Sequence, residues 1–209
     1  TELFGEPAAE RLEKNVAADK TLLESAANGW ELHLWTGKDY SGGGYTYFMK
    51  FANDKVTVSS DIAPANMKTT SSYDVISDQG PVLTVNTYNE VFHYLAEPSM
   101  DDDDGEQQDY EFVIMRTTND SIYLRGKKWG NHMVMTRVAE STSWEDEINK
   151  IQQMDEGLMR TFSLVEGNDT LGGVSLGDDR ILTYTDKSGY KKIPYYVSTE
   201  GITLAKPLE

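Results

Sequence analysis

The densest set of hard oxygen donors in the chain is SMDDDDGEQQDYE, at 99–111. Calcium chemistry asks for such a set. An EF-hand loop supplies it with Asp at position 1, oxygens at 3 and 5, Gly at 6 and a bidentate Glu at 12. Placing Gly105 at the sixth position puts Asp102 and Asp104 at the third and fifth, and Glu111 at the twelfth. The same register puts Met100 first and Gln107 eighth, where the loop needs a carboxylate and an apolar residue. A strand, not a helix, is predicted to follow. The preferred reading is a polar loop kept out of the core by its own repulsion, with weak calcium binding as the alternative; no metal site is assigned.

Other chemistries find less support. SGGGY (41–45) and RGKKWG (125–130) lack the Gly-x4-Gly-Lys-Ser/Thr spacing that cradles phosphates, so both read as hairpin loops, as does Gly172-Gly173. His33, His93 and His132 are too widely spaced for a paired histidine metal motif. No G-x-S-x-G elbow presents a serine nucleophile. The 35 acidic residues offer so many carboxylate pairs for glycoside hydrolysis that none stands out. The chain is therefore read as non-enzymatic, without catalytic residues or cofactors, and a hydrolase ranks last among the alternatives. Aromatic rings remain. Trp35, Tyr40 and Trp129 fall on polar-face or loop positions, where a ring can stack on a sugar or another flat amphipathic ligand. These three are the candidate ligand contacts, against the plainer reading of partial burial beneath loops. Trp30 and Trp144 are assigned to the core.

Charge narrows the partners. The chain has 209 residues and a formal net charge of −16. Nucleic-acid binding needs cations that displace phosphate counterions, and the nearest basic cluster, Arg125-Gly126-Lys127-Lys128, is too short to reverse this field. Nucleic acid is excluded, and anionic membrane surfaces are disfavoured for the same reason. No apolar run approaches the ~20 residues of a membrane helix. The absence of cysteine removes thiolate metal sites, thiol nucleophiles and disulfides, while leaving the compartment open.

Side-chain periodicity sets the elements that would position these groups. Residues 6–29 read as a helix, with Pro7 in its first turn, Leu12, Val16, Leu23 and Ala26 on one stripe, and Gly29 at its end. A second helix is predicted at 143–157, where Ser143 and Asp146 resemble a capping box ahead of Trp144, Ile148, Ile151 and Met154. Between them the period is two. Strands are predicted at 30–35, 44–51, 55–60, 72–77, 82–87, 110–117, 120–125 and 131–138. Asn53-Asp54 and Asn119-Asp120 mark tight hairpins in left-handed geometry. Further strands follow at 160–167, 180–186, 191–199 and 201–207, with turns at 186–189 and at Glu200-Gly201. Pro194 marks its strand as an edge or a bulge. The expected fold is mainly β: an antiparallel meander or lipocalin-like barrel with an N-terminal helix over 1–140, or alternatively a β-sandwich. Residues 141–209 would extend that sheet or begin a truncated second domain.

Long stretches also resemble a family of uncharacterised Bacteroides-type lipoproteins that share a domain of unknown function, family 4302. They are ELFGEPAAERLEKNVAADKTLLESAANGWEL (2–32), GGYTYFMKFANDKVTVSSD (43–61) and SSYDVISDQGPVLTVNTYNEVFHYLAEP (71–98). DYEFVIMRTTNDSIYLRGKKWGNHMVMTRV (109–138) and IPYYVSTEGITLAKPLE (193–209) complete them. The resemblance implies a lipobox cysteine upstream of Leu3-Phe4, consistent with a processed or engineered start at Thr1, and a natural chain that continues past Glu209; Leu208-Glu209 themselves read either as natural residues or as the scar of a tag. It implies an extracytoplasmic address: periplasmic, outer-membrane-anchored or at the cell surface, touching membrane only through a lipid anchor absent from this chain. The favoured function is a non-enzymatic envelope lipoprotein that binds a glycan or another extracellular ligand. A small-molecule carrier using the barrel interior and a structural part of a surface complex are the alternatives.

Overall fold

The computed structural model describes residues 8–85, 88–93 and 107–208. The chain opens with α1 (Ala8–Ser25) and continues through β1 (Trp30–Trp35), β2 (Gly44–Ala52), β3 (Lys55–Ser60) and β4 (Thr69–Ser77). It continues with β5 (Pro81–Val85), β6 (Glu111–Thr117), β7 (Ser121–Gly126), β8 (His132–Arg137) and α2 (Trp144–Gly157). Five strands complete it: β9 (Thr161–Glu166), β10 (Asp169–Leu176), β11 (Ile181–Asp186), β12 (Gly189–Ser198) and β13 (Gly201–Leu204).

Strands β1 to β8 form a closed antiparallel barrel, in which β1 pairs with β2 on one side and with β8 on the other. The fold is thus the lipocalin-like barrel expected from the two-residue alternation, not the sandwich. Trp30, Leu32 and Leu34 point inward from β1, opposite Met49, Tyr47 and Tyr45 of β2. Phe51, Val56, Val58, Tyr73, Leu83, Phe112, Leu124 and Met135 join them, so side chains fill the interior. Leu23 of α1 and Ala26 just beyond its end pack into this core, and the Trp30 indole N–H donates to the Leu23 carbonyl at 3.0 Å.

Strands β9 to β13 make a separately hydrogen-bonded half-barrel in the order β13-β12-β11-β10-β9. Its inner face carries Val174, Leu182, Tyr184, Ile193, Tyr195 and Val197, covered in part by Ile151 and Met154 of α2. Nearer the start of α2, on the same stripe, Trp144 and Ile148 pack on Phe48, whose ring stacks on Trp144 with centroids 5.7 Å apart. Helix α2 therefore joins the two sheets. Its start follows the expected cap: the Ser143 hydroxyl accepts from the Asp146 N–H at 3.2 Å.

Several local expectations are corrected. Helix α1 ends at Ser25, before Gly29. Gly29 instead turns the chain into β1 at φ 74°, where an added Cβ would lie 2.8 Å from the Trp144 ring and still closer to the Met49 carbonyl. Gly172-Gly173 lies inside β10, beside a register shift between Thr170 and Gly172, and is not a hairpin loop. Strand β12 is an interior strand, paired with both β11 and β13. It tolerates Pro194 because the Pro194 carbonyl accepts from Ala205 N–H on the side where β13 has just ended, so the absent donor interrupts no ladder. Asn53 and Asp54 are left-handed, at φ 51° and 59°, whereas the Asn119-Asp120 hairpin turns without positive φ. Pro7, the end of the strand predicted at 82–87, and most of the aspartate loop, 99–106, lie outside the described residues.

Candidate functional site

One end of the barrel is tied together by three buried polar side chains. Asn131 donates to the carbonyls of Gly37, at 2.6 Å, and Trp35, at 3.3 Å, while its Oδ1 accepts the Tyr40 N–H at 2.9 Å. Asp109 accepts the backbone N–H of Lys128 at 2.8 Å and of Trp129 at 3.2 Å. Burial pushes the Asp109 carboxyl up, and those two donors pull it back. Gln108 accepts the Tyr47 hydroxyl at 3.2 Å and donates to the Phe92 carbonyl. The 36–43 and 127–131 loops are thus held in one fixed arrangement.

That arrangement positions Tyr40. Asp39 and Tyr40 both adopt left-handed backbone, at φ 54° and 56°, a conformation that costs non-glycine residues energy and collects at functional sites. The Tyr40 hydroxyl accepts the His132 N–H at 2.8 Å, which fixes the ring. Trp35 meets Tyr40 edge-on, with centroids 6.4 Å apart, and lies 5.6 Å from Tyr196 of β12. Tyr196 in turn stacks on His33 at 4.0 Å with planes 5° apart. Gly44 makes this contact between sheets feasible, since a Cβ there would sit 2.8 Å from the Trp35 ring and 3.0 Å from Tyr196 Cβ. Burial holds the His33 imidazole down at about 4, so it is neutral near pH 7, with Nδ1 3.0 Å from the Thr46 hydroxyl.

A buried ion pair locks the same junction. Arg180, itself left-handed at φ 61° between β10 and β11, reaches Asp61 at 2.7 Å and the Gly44 carbonyl at 3.0 Å. Asp61 also accepts the Thr46 N–H at 3.0 Å. Burial pushes the Asp61 carboxyl up, against the opposing pull of the guanidinium.

Beside this pin a groove of about 320 Å³ opens between the 36–43 loop and the β12–β13 side of the half-barrel. Asp39, Tyr40 and Ser41 line one wall, and Lys192, Pro194, Ala205 and Lys206 the other. The three candidate rings therefore separate in role. Tyr40 lines the groove, and Trp35 supports Tyr40 from behind while half-buried. Trp129 stands apart: among the described residues its ring contact is the Lys128 ammonium, 4.9 Å from the centroid. Sequence reasoning missed Lys192, Lys206 and Tyr196. The only nearby signal was Pro194, and the pairing of these residues with residues 35–44 exists only once the two sheets dock.

A larger hollow of about 740 Å³ lies at the far end of the half-barrel. Leu164, Val174 and Tyr184 form its floor, and Asp169, Asp186, Lys187 and Ser188 stand at its rim. The Asp186 carboxylate is already occupied by Ser188, accepting its N–H at 2.7 Å and its hydroxyl at 2.6 Å. Among the described residues no group of three or more His, Asp or Glu could hold a metal ion. Glu111, the twelfth position of the alternative calcium-loop reading, begins β6, 3.5 Å from the Lys127 ammonium.

Fold and groove together define a barrel protein with an appended half-barrel and a cleft at their seam. The chain belongs to the DUF4302 family, a domain of unknown function, whose model matches residues 1–209. No curated protein and no solved structure matches it.

Proposed function

We propose that this protein is a non-enzymatic ligand-binding module of the cell envelope, with a glycan held in the groove at the seam of barrel and half-barrel. The observation that carries this reading is Tyr40, fixed on strained left-handed backbone with its hydroxyl occupied and its ring left to an open cleft. A tyrosine held this way offers an apolar face without searching rotamers, which lowers the entropic cost of binding. The polar groups beside it, Asp39, Ser41, Lys192 and Lys206, suit hydroxyl-rich ligands. The envelope address rests on the resemblance to lipoproteins, and is checked by fractionating the native cell and labelling the protein with an alkyne fatty acid.

The glycan reading is tested on a glycan array with the wild-type protein and Tyr40→Ala. Binding is expected for the wild type and at least about tenfold weaker for the variant. An empty array, or equal binding by both at matched thermal stability, would overturn it.

The hollow of the half-barrel favours a second reading, a carrier for an apolar small molecule. With the main barrel filled by side chains, carriage would move to this hollow. Displacement of a fluorescent fatty acid, blocked by Val174→Trp, would support it; no uptake of the probe would end it.

A further inference from the structure

The groove places two cations of an acidic chain side by side on one wall. Lys20, Lys127, Arg137, Lys150, Arg160 and Arg180 each lie within 4 Å of a carboxylate. Lys192 and Lys206 have no such partner among the described residues, as is true of other surface cations such as Lys38, Lys50 and Arg125; what distinguishes these two is that both stand on the same wall of one groove, opposite Tyr40. The Lys192 ammonium lies 5.8 Å from the centroid of the Tyr190 ring.

Resting on the glycan reading of this groove, we infer that the ligand is an acidic saccharide, whose carboxylate is taken by Lys192 and Lys206 while a sugar face lies on Tyr40. Asp39 and Ser41, across the groove, accept and share hydrogen bonds with the ring hydroxyls. The net charge of −16 does not forbid this. Charges farther than the Debye length of about 8 Å are largely screened at physiological salt, so the local pair of ammoniums decides the field inside the groove. One carboxylate, Asp39, faces two ammoniums there, and the local balance is positive. A neutral glycan would leave both lysines of this wall without a counter-charge.

Calorimetric titration with tetragalacturonate, and with a neutral gluco-oligosaccharide of the same length, tests the assignment. The acidic oligomer is expected to bind at least about tenfold more tightly than the neutral one, and binding should weaken between about 50 and about 500 mM salt. Lys192→Glu and Lys206→Glu should each weaken it about fivefold, because both side chains are exposed and screened, with thermal stability unchanged. Equal affinity for the neutral oligomer, unaffected by either lysine but lost in Tyr40→Ala, would overturn the acidic class and leave the glycan reading standing. No binding of either oligomer together with an empty array would overturn both. Acidic binding that ignores Tyr40 and both lysines would place the ligand elsewhere and also overturn the inference.

Discussion

Asp61 and Arg180 are worth more as a pair than either could be alone. Each is removed from water, and together they satisfy one another, the Thr46 N–H and the Gly44 carbonyl. Asp61→Ala leaves a buried guanidinium with only the half-exposed Asp155, 3.9 Å away, as counter-charge, and should cost about 3–5 kcal/mol in urea unfolding. Replacing both, as Asp61→Leu with Arg180→Met, should recover most of that loss; a double variant no better than the single would contradict this account. His33 makes a prediction about pH. Its folded pKa, about 4, lies below the ordinary 6.5, so above pH 6.5 the imidazole is neutral in both states and its contribution is complete. Between 6.5 and 4 the unfolded chain takes up the proton and the folded chain resists, so stability falls as pH falls through that window. His33→Phe keeps a ring against Tyr196 and should flatten that limb of the stability profile. An unchanged limb would show that the imidazole is not sequestered.

At the scale of elements, what could be read from sequence was whatever depends on near neighbours in the chain. The inward set on β1 and β2 follows directly from alternation, and the Ser143 cap with the α2 stripe from spacing. The two asparagine-aspartate bends illustrate the limit. Both are hairpins, yet only Asn53-Asp54 is left-handed, because it is a two-residue loop between the paired Ala52 and Lys55, whereas four residues, 118–121, separate the paired Thr117 and Ile122. Pro194 and Gly172-Gly173 were misread for a related reason, since their neighbours across the sheet decide what they tolerate. Least legible was the outer face of β2, where Phe48 is buried against Trp144 and Ile148, more than ninety positions away. Gly44 is where this hidden contact is tightest. Gly44→Ala should wedge Trp35 from Tyr196 and cost about 1–3 kcal/mol in chemical denaturation. It should weaken binding in the groove as well, because Trp35 supports Tyr40. A neutral effect on both would mean that the two sheets approach less closely than described.

For the whole molecule, the seam explains why two hydrogen-bonded sheets behave as one body. Helix α2 packs on both, Gln152 donates to the carbonyls of Asp61 and Ala63 at 3.1 and 2.7 Å, and Arg180 crosses from half-barrel to barrel. Thermal unfolding should therefore show one transition by both tryptophan fluorescence and circular dichroism, and Asp61→Ala should split or broaden it. Two separate wild-type transitions would contradict the shared seam. The groove exists only because of this docking: Tyr40 comes from a barrel loop, Lys192 and Pro194 from β12, and Ala205 and Lys206 from the residues just after β13. The most direct test of that claim is an amide chemical-shift map of the protein titrated with tetragalacturonate. The perturbed residues should cluster at 37–43, 192–196 and 204–206, on both sides of the seam. Shifts confined to the hollow around Leu164, Val174 and Ser188, or to one side of the seam alone, would contradict it.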